Sequence, residues 1–259
     1  MPELPDLEVF SKNLNKKLAK KELKKVAVIN KSKLKIPEAQ LKKSLEGATL
    51  KKIYREGKEL HFAFDNSEVL GLHLMLHGKL QLFNKKNDQK NTIIELIFDD
   101  DTGLVLSDYQ GAANATLNPE NKTAPDALSK DVGFDFLKEK LSKKRTNIKT
   151  FLLDQKNIRG IGNAYADEIL WEARISPFSI CNKIPDASIK ALAKSIKSVL
   201  EDAEQQILKT QPDIISGEVR DFLKIHNSKK KESPTAGKIH NKMIGGRITY
   251  YTDEQEIFE

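Results

Sequence analysis

The sequence predicts an α+β protein: a strand-rich first half, a helical second half and a short strand-like tail. Three observations carry this reading. Short apolar runs rich in β-branched and aromatic residues recur between residues 26 and 106, separated by turn signals. From about Asp131 the apolar spacing changes to a helical period. The strands precede the helices instead of alternating with them, which is the α+β pattern.

The elements follow in order. Residues 7–19 place Val9, Phe10, Leu14 and Leu18 on one helical side. A lysine-dense stretch comes next. Strands are predicted over 26–29, 60–64, 69–75, 79–83, 92–98 and 104–106, with turn signals at Asn66-Ser67, Asn87-Asp88 and 99–103. Strands at this spacing suggest a sandwich or a barrel. Helices are predicted over 137–141, 147–155, 164–172 and 188–210. The run Lys229-Lys230-Lys231 then leads to a β-like tail at 246–252. No internal repeat is visible.

Composition bounds the function. The chain has 259 residues, enough for one large domain or two of ordinary size. A hydrophobic content of 39% supports a real core. The formal net charge of +7 favours a polyanionic partner such as nucleic acid, although solvated lysines alone give the same sign. The one cysteine, Cys181, rules out an internal disulfide and a four-cysteine zinc site. No apolar signal core is present, and no stretch approaches ~18 uninterrupted apolar residues. The expectation is a soluble intracellular protein, cytoplasmic or nucleoid-associated, with no membrane partner.

Two segments carry chemistry. The chain starts Met1-Pro2-Glu3-Leu4-Pro5. Removal of Met1, favoured by the small second residue, leaves Pro2 as a secondary amine. An α-amino group has a pKa near ~8, so a useful fraction is neutral and nucleophilic at cellular pH. Such an amine forms an iminium with an electrophilic carbon, and Glu3 beside it could move protons. The alternative is that two prolines simply make a stiff extended leader. The second segment runs from Asp154 to Trp171 and joins two helical patterns through Gly160-Ile161-Gly162-Asn163. Glycines permit positive φ and close backbone approach, and a phosphate can sit on amides at a helix start with Asn163 as an added donor. The alternative is a tight turn in an ordinary helical hairpin.

Together these segments closely resemble the formamidopyrimidine-DNA glycosylase and endonuclease VIII family. The resemblance extends to Gly57-Lys58 in a strand hairpin, residues 73–78, residues 149–171 and the tail Gly246-Arg247-Ile248-Thr249-Tyr250-Tyr251. It implies an N-terminal β-sandwich over 1–125, a helix-two-turn-helix domain over 126–225 and a finger module over 226–259. It implies a bifunctional DNA glycosylase and abasic-site lyase acting on damaged duplex DNA, as a monomer and without a diffusible cofactor. Pro2 would attack C1′ and expel the base, Glu3 would protonate the sugar and shuttle protons, and Lys58 would contact phosphate near the lesion. Lys149, Asn163 and Arg247 would hold backbone phosphates. β- and then δ-elimination from the iminium would cut the strand.

Extruding a nucleotide costs a few kcal/mol, and a side-chain wedge fills the gap. Met75, Leu76 and His77 occupy the place where the family's wedge begins; core packing on a strand is the alternative for Met75 or Leu76. The arginine and phenylalanine that the formamidopyrimidine branch brings from a second loop are not evident in Ser107-Asp108-Tyr109-Gln110-Gly111-Ala112-Ala113-Asn114. That absence leans the expectation toward an endonuclease VIII-like range. Asp6 stands where the opening motif has glutamate, and little room after Ile214 remains for a long lesion-capping loop.

The tail departs from the family further. Ser233-Pro234-Thr235-Ala236-Gly237 and Thr252-Asp253-Glu254-Gln255 stand where zinc ligands are expected, and hydroxyls with an alanine do not make a thiolate site. The expectation is a zincless β-hairpin finger held by apolar contacts from Ile239, Met243, Ile244, Ile248 and Tyr250, with His226 and His240 on the surface. Two other functions remain at this stage: a damaged-DNA-binding module with weak or no excision, and a basic RNA-associated protein.

Overall fold

Helix α1 (Leu4–Leu18) starts the fold, and the residues before it build its cap. Glu3 is extended at the N-cap, and Pro5 lies in the first turn, where its missing N–H has no intrahelical partner to lose. The Glu3 amide donates to Asp6 Oδ2 at 2.8 Å. The Glu3 side chain accepts from the Asp6 amide in return, a reciprocal capping box. The helix therefore begins three residues before its apolar spacing does. Asp6, which sequence comparison leaves as an unexplained departure, has a structural task here.

The computed structural model describes residues 1–34 and 36–259. The chain divides into two compact units, residues 1–121 with 207–218 and residues 122–206 with 219–259.

The first unit contains two four-stranded antiparallel sheets. One holds β1 (Leu23–Val28), β6 (Thr92–Phe98), β7 (Thr102–Ser107) and β5 (Lys79–Asn84) in that order. The other holds β2 (Leu50–Glu56), β3 (Glu59–Phe64), β4 (Val69–His73) and β8 (Asn114–Leu117). Leu96 and Leu104 from the first sheet and Phe62 and Leu72 from the second share one buried cluster with Phe10, Leu14 and Leu18 of α1. Helix α2 (Glu38–Leu45) adds Leu41 and Leu45 to it. The strands of a sandwich are therefore present, with α1 packed into the same core.

Strand β2 carries no alternating pattern, which is why periodicity overlooks it. Lys51 and Lys52 are both exposed, and the register shifts between Leu50 and Lys52. Strand β4 stops at His73, two residues short of the expected end, because Met75 turns into the left-handed region at φ 51°.

The second unit carries α3 (Phe134–Ser142), α4 (Ile148–Leu153), α5 (Asn163–Glu172) and most of α6 (Asp186–Thr210). Strands β9 (Ile239–Ile244) and β10 (Arg247–Thr252) form an antiparallel hairpin. Its two-residue turn, Gly245-Gly246, has both φ angles positive at 53° and 74°, as the right-handed strand twist demands. The chain end then runs beside 175–180, where Ser176 N donates to Glu256 O and Ile180 N to Phe258 O, each at 2.7 Å. Among the described residues no helix is long and apolar enough to cross a membrane.

Replacing Asp6 with alanine removes one half of the capping box. The expected cost is at least about 1 kcal/mol of stability, measured by chemical denaturation. A change within a few tenths would mean that the cap does not set where α1 begins.

Candidate functional site

The first cluster lies at the start of α1. Pro2 is buried and Glu3 is only 4% exposed. The terminal amine of Met1 is ion-paired with Glu218, a residue for which the sequence offers no functional signal. Lys58 occupies the tight turn between β2 and β3, directly after Gly57 at φ 61°. Arg55 braces that turn against the helix. Its Nε donates to Glu8 Oε2 at 2.9 Å and its guanidinium to the Gly57 carbonyl at 3.1 Å, with the Arg55 side chain nearly buried. The brace ties the helix that begins with Pro2 and Glu3 to the turn that bears Lys58. Arg55 itself is indistinguishable in sequence from the many solvated basic residues.

The second cluster consists of two loop tips in the same unit. The turn from Leu74 to Gly78 closes with Gly78 N on Leu74 O at 2.8 Å, and the Met75 amide donates to His73 Nδ1 at 3.0 Å. Leu76 at its tip is 55% exposed, and Met75 is half-buried. Neither residue lies on a strand; Leu76 is exposed, while Met75 keeps one side packed. The neighbouring 107–114 loop is splinted by Asp108, which accepts the amides of Gln110 at 2.9 Å and of Ala112 and Ala113 at 2.8 Å. Burial opposes ionisation of this carboxyl, yet the converging amides, Ala113 first, hold its pKa below the ordinary value. That splint presents Tyr109, 63% exposed, with its ring 4.7 Å from the ring of His77. Sequence reading singled out His77 and overlooked Tyr109.

The third cluster belongs to the second unit and joins Lys149, Asn163 and Arg247. Gln155 shapes the connection from α4 to α5: its amide donates to the carbonyls of Leu153 and Ile161 and accepts from Gly160 N. Of the two glycines only Gly160 uses positive φ, at 104°. Gly162 is the extended N-cap of α5, and Asn163 is the first helical residue. Asn163 Nδ2 donates to the Ile248 carbonyl at 2.9 Å, and Lys149 Nζ approaches the same oxygen at 3.4 Å. Ile248 directly follows Arg247, which is exposed. The three residues thus meet at the start of β10.

Lys149 does not stand as expected. Its side chain is completely buried, 2.7 Å from Asp167 Oδ1 and 2.8 Å from Thr249 Oγ1. A buried ammonium has no surface to offer a phosphate; its charge is spent on holding the hairpin. Asp167 also takes the His226 ring nitrogen at 2.7 Å and the Tyr250 amide at 2.9 Å. His226, expected on the surface, is therefore half-buried and part of this network. Next to it, Glu168 accepts the consecutive amides of Lys224, Ile225 and His226 at 2.8 Å each, while burial pushes its pKa up. The hairpin's apolar anchors also differ from expectation. Ile244 is buried, but Met243 and Ile248 are 56% and 50% exposed. They are cross-strand partners, so one face of the hairpin tip carries an apolar pair beside Arg247.

Comparison with known proteins agrees over nearly the whole length. Residues 1–114 match the formamidopyrimidine-DNA glycosylase N-terminal domain, and residues 123–211 match the H2TH domain of that glycosylase. A formamidopyrimidine-DNA glycosylase of Lactococcus lactis is 30% identical over 266 residues, covering 97% of each chain. One of Mycoplasma genitalium is 32% identical over 272 residues, covering 97% of this chain and 94% of its own. The solved complex of the Lactococcus lactis enzyme with abasic-site DNA superposes with a TM-score of 0.89 at 25% identity, covering 98% of this chain and 100% of that one. A complex with DNA containing an oxidised pyrimidine gives 0.89 at 26% identity, with the same coverage.

Asp167→Ala would leave the Lys149 ammonium buried without its counter-charge. The expected loss is about 3–5 kcal/mol. Trp171, the one tryptophan, lies in this unit and reports its unfolding in urea. A loss below about 1 kcal/mol would show that water reaches Lys149 and that the pair is not what seats the hairpin.

Proposed function

The chain belongs to the formamidopyrimidine-DNA glycosylase family, and from that membership we propose that it excises oxidised bases from duplex DNA and cleaves the resulting abasic site. The observation that carries the reading is the opening Pro2-Glu3, positioned by the capped start of α1 in the family-matched first unit.

The chemistry runs through the Pro2 amine once Met1 is removed. Its lone pair bonds to C1′ while the C1′–base bond breaks, and the bonding electrons leave with the base, which takes up a proton. Glu3 protonates the sugar ring oxygen, the ring opens, and an iminium remains between Pro2 and C1′. Loss of a C2′ proton then expels the 3′ phosphate by β-elimination, and a further δ-elimination expels the 5′ phosphate. Water finally hydrolyses the iminium and returns the amine. The iminium is the electron sink, so these steps need no diffusible cofactor. Lys58 supports the phosphate next to the lesion, and Asn163 and Arg247 grip the strand. Leu76, Met75 and His77 fill the space that the extruded nucleotide leaves.

The substrate range is read from the relatives. They bear the formamidopyrimidine name, and the solved neighbours hold abasic-site, oxidised-pyrimidine and N7-benzyl-formamidopyrimidine DNA. This supports ring-opened purines, oxidised pyrimidines and abasic sites. The endonuclease VIII-like lean rests only on the first-loop wedge. One observation favours a second reading, a damage-binding module that excises poorly: the 107–114 loop supplies Tyr109 where the formamidopyrimidine branch supplies arginine and phenylalanine.

Borohydride trapping on an abasic-site duplex, followed by peptide mass mapping, separates the two. The expected result is one adduct on Pro2, with Pro2→Gly retaining duplex binding and losing strand cleavage. Firm binding without any adduct would leave the damage-binding module. A second expectation concerns Arg247. Arg247→Ala should lower the slope of log affinity against log salt by about one contact's worth, near 0.9. An unchanged slope would remove Arg247 from the interface.

A further inference from the structure

The resemblance implies a zinc ion in the tail, and the side chains gathered there do not fit one. Where thiolates would converge, a carboxylate is surrounded by donors. Glu254 accepts Ser233 Oγ at 2.7 Å, Thr252 Oγ1 at 3.1 Å, Trp171 Nε1 at 3.3 Å and the Thr235 hydroxyl. The Arg174 guanidinium pairs with it at 3.0 Å. Three hydroxyls, an indole N–H and a guanidinium already fill the carboxylate's acceptor capacity, and Ala236 has no donor atom to offer a metal. Among the described residues no group of three or more histidine, cysteine, aspartate or glutamate side chains is placed to hold a metal ion.

These donors come from three separate segments. Ser233 and Thr235 lie in the turn before β9, Thr252 ends β10, and Trp171 and Arg174 lie at the C-terminal end of α5. The turn is shaped around the carboxylate. Ser233 Oγ, while donating to Glu254, accepts the Gly237 amide at 3.0 Å, and a Cβ at Gly237 would lie 2.1 Å from Glu254 Oε2. Gln255 continues the knot by accepting the Thr252 amide and donating to the Ile175 carbonyl, both at 2.8 Å.

We propose that Glu254 is the positioning residue of the hairpin: its carboxylate does the organising work of the family's metal ion and thereby keeps Arg247 in place to engage DNA phosphate. The hairpin is held at two points. Asn163 and Lys149 hold the start of β10, and the Glu254 knot holds its end. A two-stranded hairpin alone is marginal in water, so releasing either point lets it fray. The DNA half of this inference rests on the reading that Arg247 contacts phosphate; the knot itself does not. The hydroxyls of Thr235 and Ser233, then Trp171 and Arg174, lower the Glu254 pKa to about 2. Arg174 is the charged group facing it, and it keeps its charge throughout the acid range. A depressed carboxylate pKa stabilises above the ordinary value and loses that contribution as pH falls toward the folded one. The knot therefore stays intact at pH 5 and weakens below about 4.

Hydrogen exchange of the β9–β10 amides tests the knot without DNA. Protection in the wild type should be unchanged by a chelator and should persist at pH 5. Glu254→Ala should abolish it and Glu254→Gln should retain part of it, while the α5 amides stay protected in both. Full hairpin protection in Glu254→Ala, or loss on chelation of the wild type, would overturn the proposal. A binding cycle on abasic-site duplex tests positioning. Glu254→Ala should lower the salt slope as Arg247→Ala does and add nothing in the double variant. Additive losses would mean that Glu254 stabilises the tail without placing Arg247. A normal slope in Arg247→Ala alone would sink the phosphate reading and leave the exchange result standing. If Glu254→Ala does not fold, Glu254→Gln carries both arms with smaller effects of the same sign.

Discussion

The buried contact between Lys149 and Asp167 is the constraint on which the second unit depends. Two ions removed from water lose several kcal/mol of solvation each, and their attraction recovers this only if the remaining hydrogen-bonding capacity is met. Here other elements meet it except at Asp167 Oδ1, which faces only the Lys149 ammonium. The Tyr250 amide and the His226 ring satisfy Asp167, and the Thr249 hydroxyl and the Ile248 carbonyl satisfy Lys149. Because the pair spans α4 and α5 while its other partners come from β10 and from His226, it is affordable only when α4, α5, β10 and the 224–226 segment are all assembled. An ion pair that is weak evidence for stability is here strong evidence for a unique arrangement.

The first unit and the hairpin tail of the second are held by different physics. In the first, an apolar cluster drawn from α1, α2 and both sheets supplies the driving force, and polar groups only set registers. The Asp6–Glu3 cap sets where α1 begins, and Arg55 sets where the β2–β3 turn lies against Glu8. In the tail of the second, little apolar surface is buried and two of its largest hydrophobics face solvent. Carboxylates do the holding instead: Asp167 within β10, through the Tyr250 amide, and Glu254 at its end. Each accepts donors from several segments, which is the role a metal ion plays when it gathers ligands from distant parts of a chain.

This division matches what the reading of the site requires. Attack by an amine on C1′ needs a nucleophile and a proton carrier at fixed separation, and a helix start set in an apolar core supplies that rigidity. Gripping a strand needs exposed cations on elements that water cannot loosen. Arg247 is exposed, while its neighbours Ile248, Thr249 and Tyr250 are each bound through backbone or side chain to the helices beneath. The loop tips follow the same logic: Asp108 and the 74–78 turn spend their polar groups internally and leave Leu76, His77 and Tyr109 at the surface.

The sequence by itself determined the class of fold, the order of its parts and the family. Those rest on local signals: periodicity for α1 and most strands, a proline and an acid at the start, two glycines before Asn163, an arginine after two glycines in the tail. It also carried the departure at the tail, since missing thiolates are visible in any order of reading. Strands β2, β8 and β9 escaped: lysines and polar residues mask the alternation in β2 and β9, and β8 is only four residues long. Tertiary structure alone decided which charges are solvated and which are buried. Lys149, Arg55 and Glu254 look like ordinary members of a chain that is 31% charged. What distinguishes them is the set of partners brought from residues far along the chain, and that set exists only after folding. The same reason moved Lys149 from the DNA surface to the interior, gave Asp6 its cap and put Tyr109 beside His77.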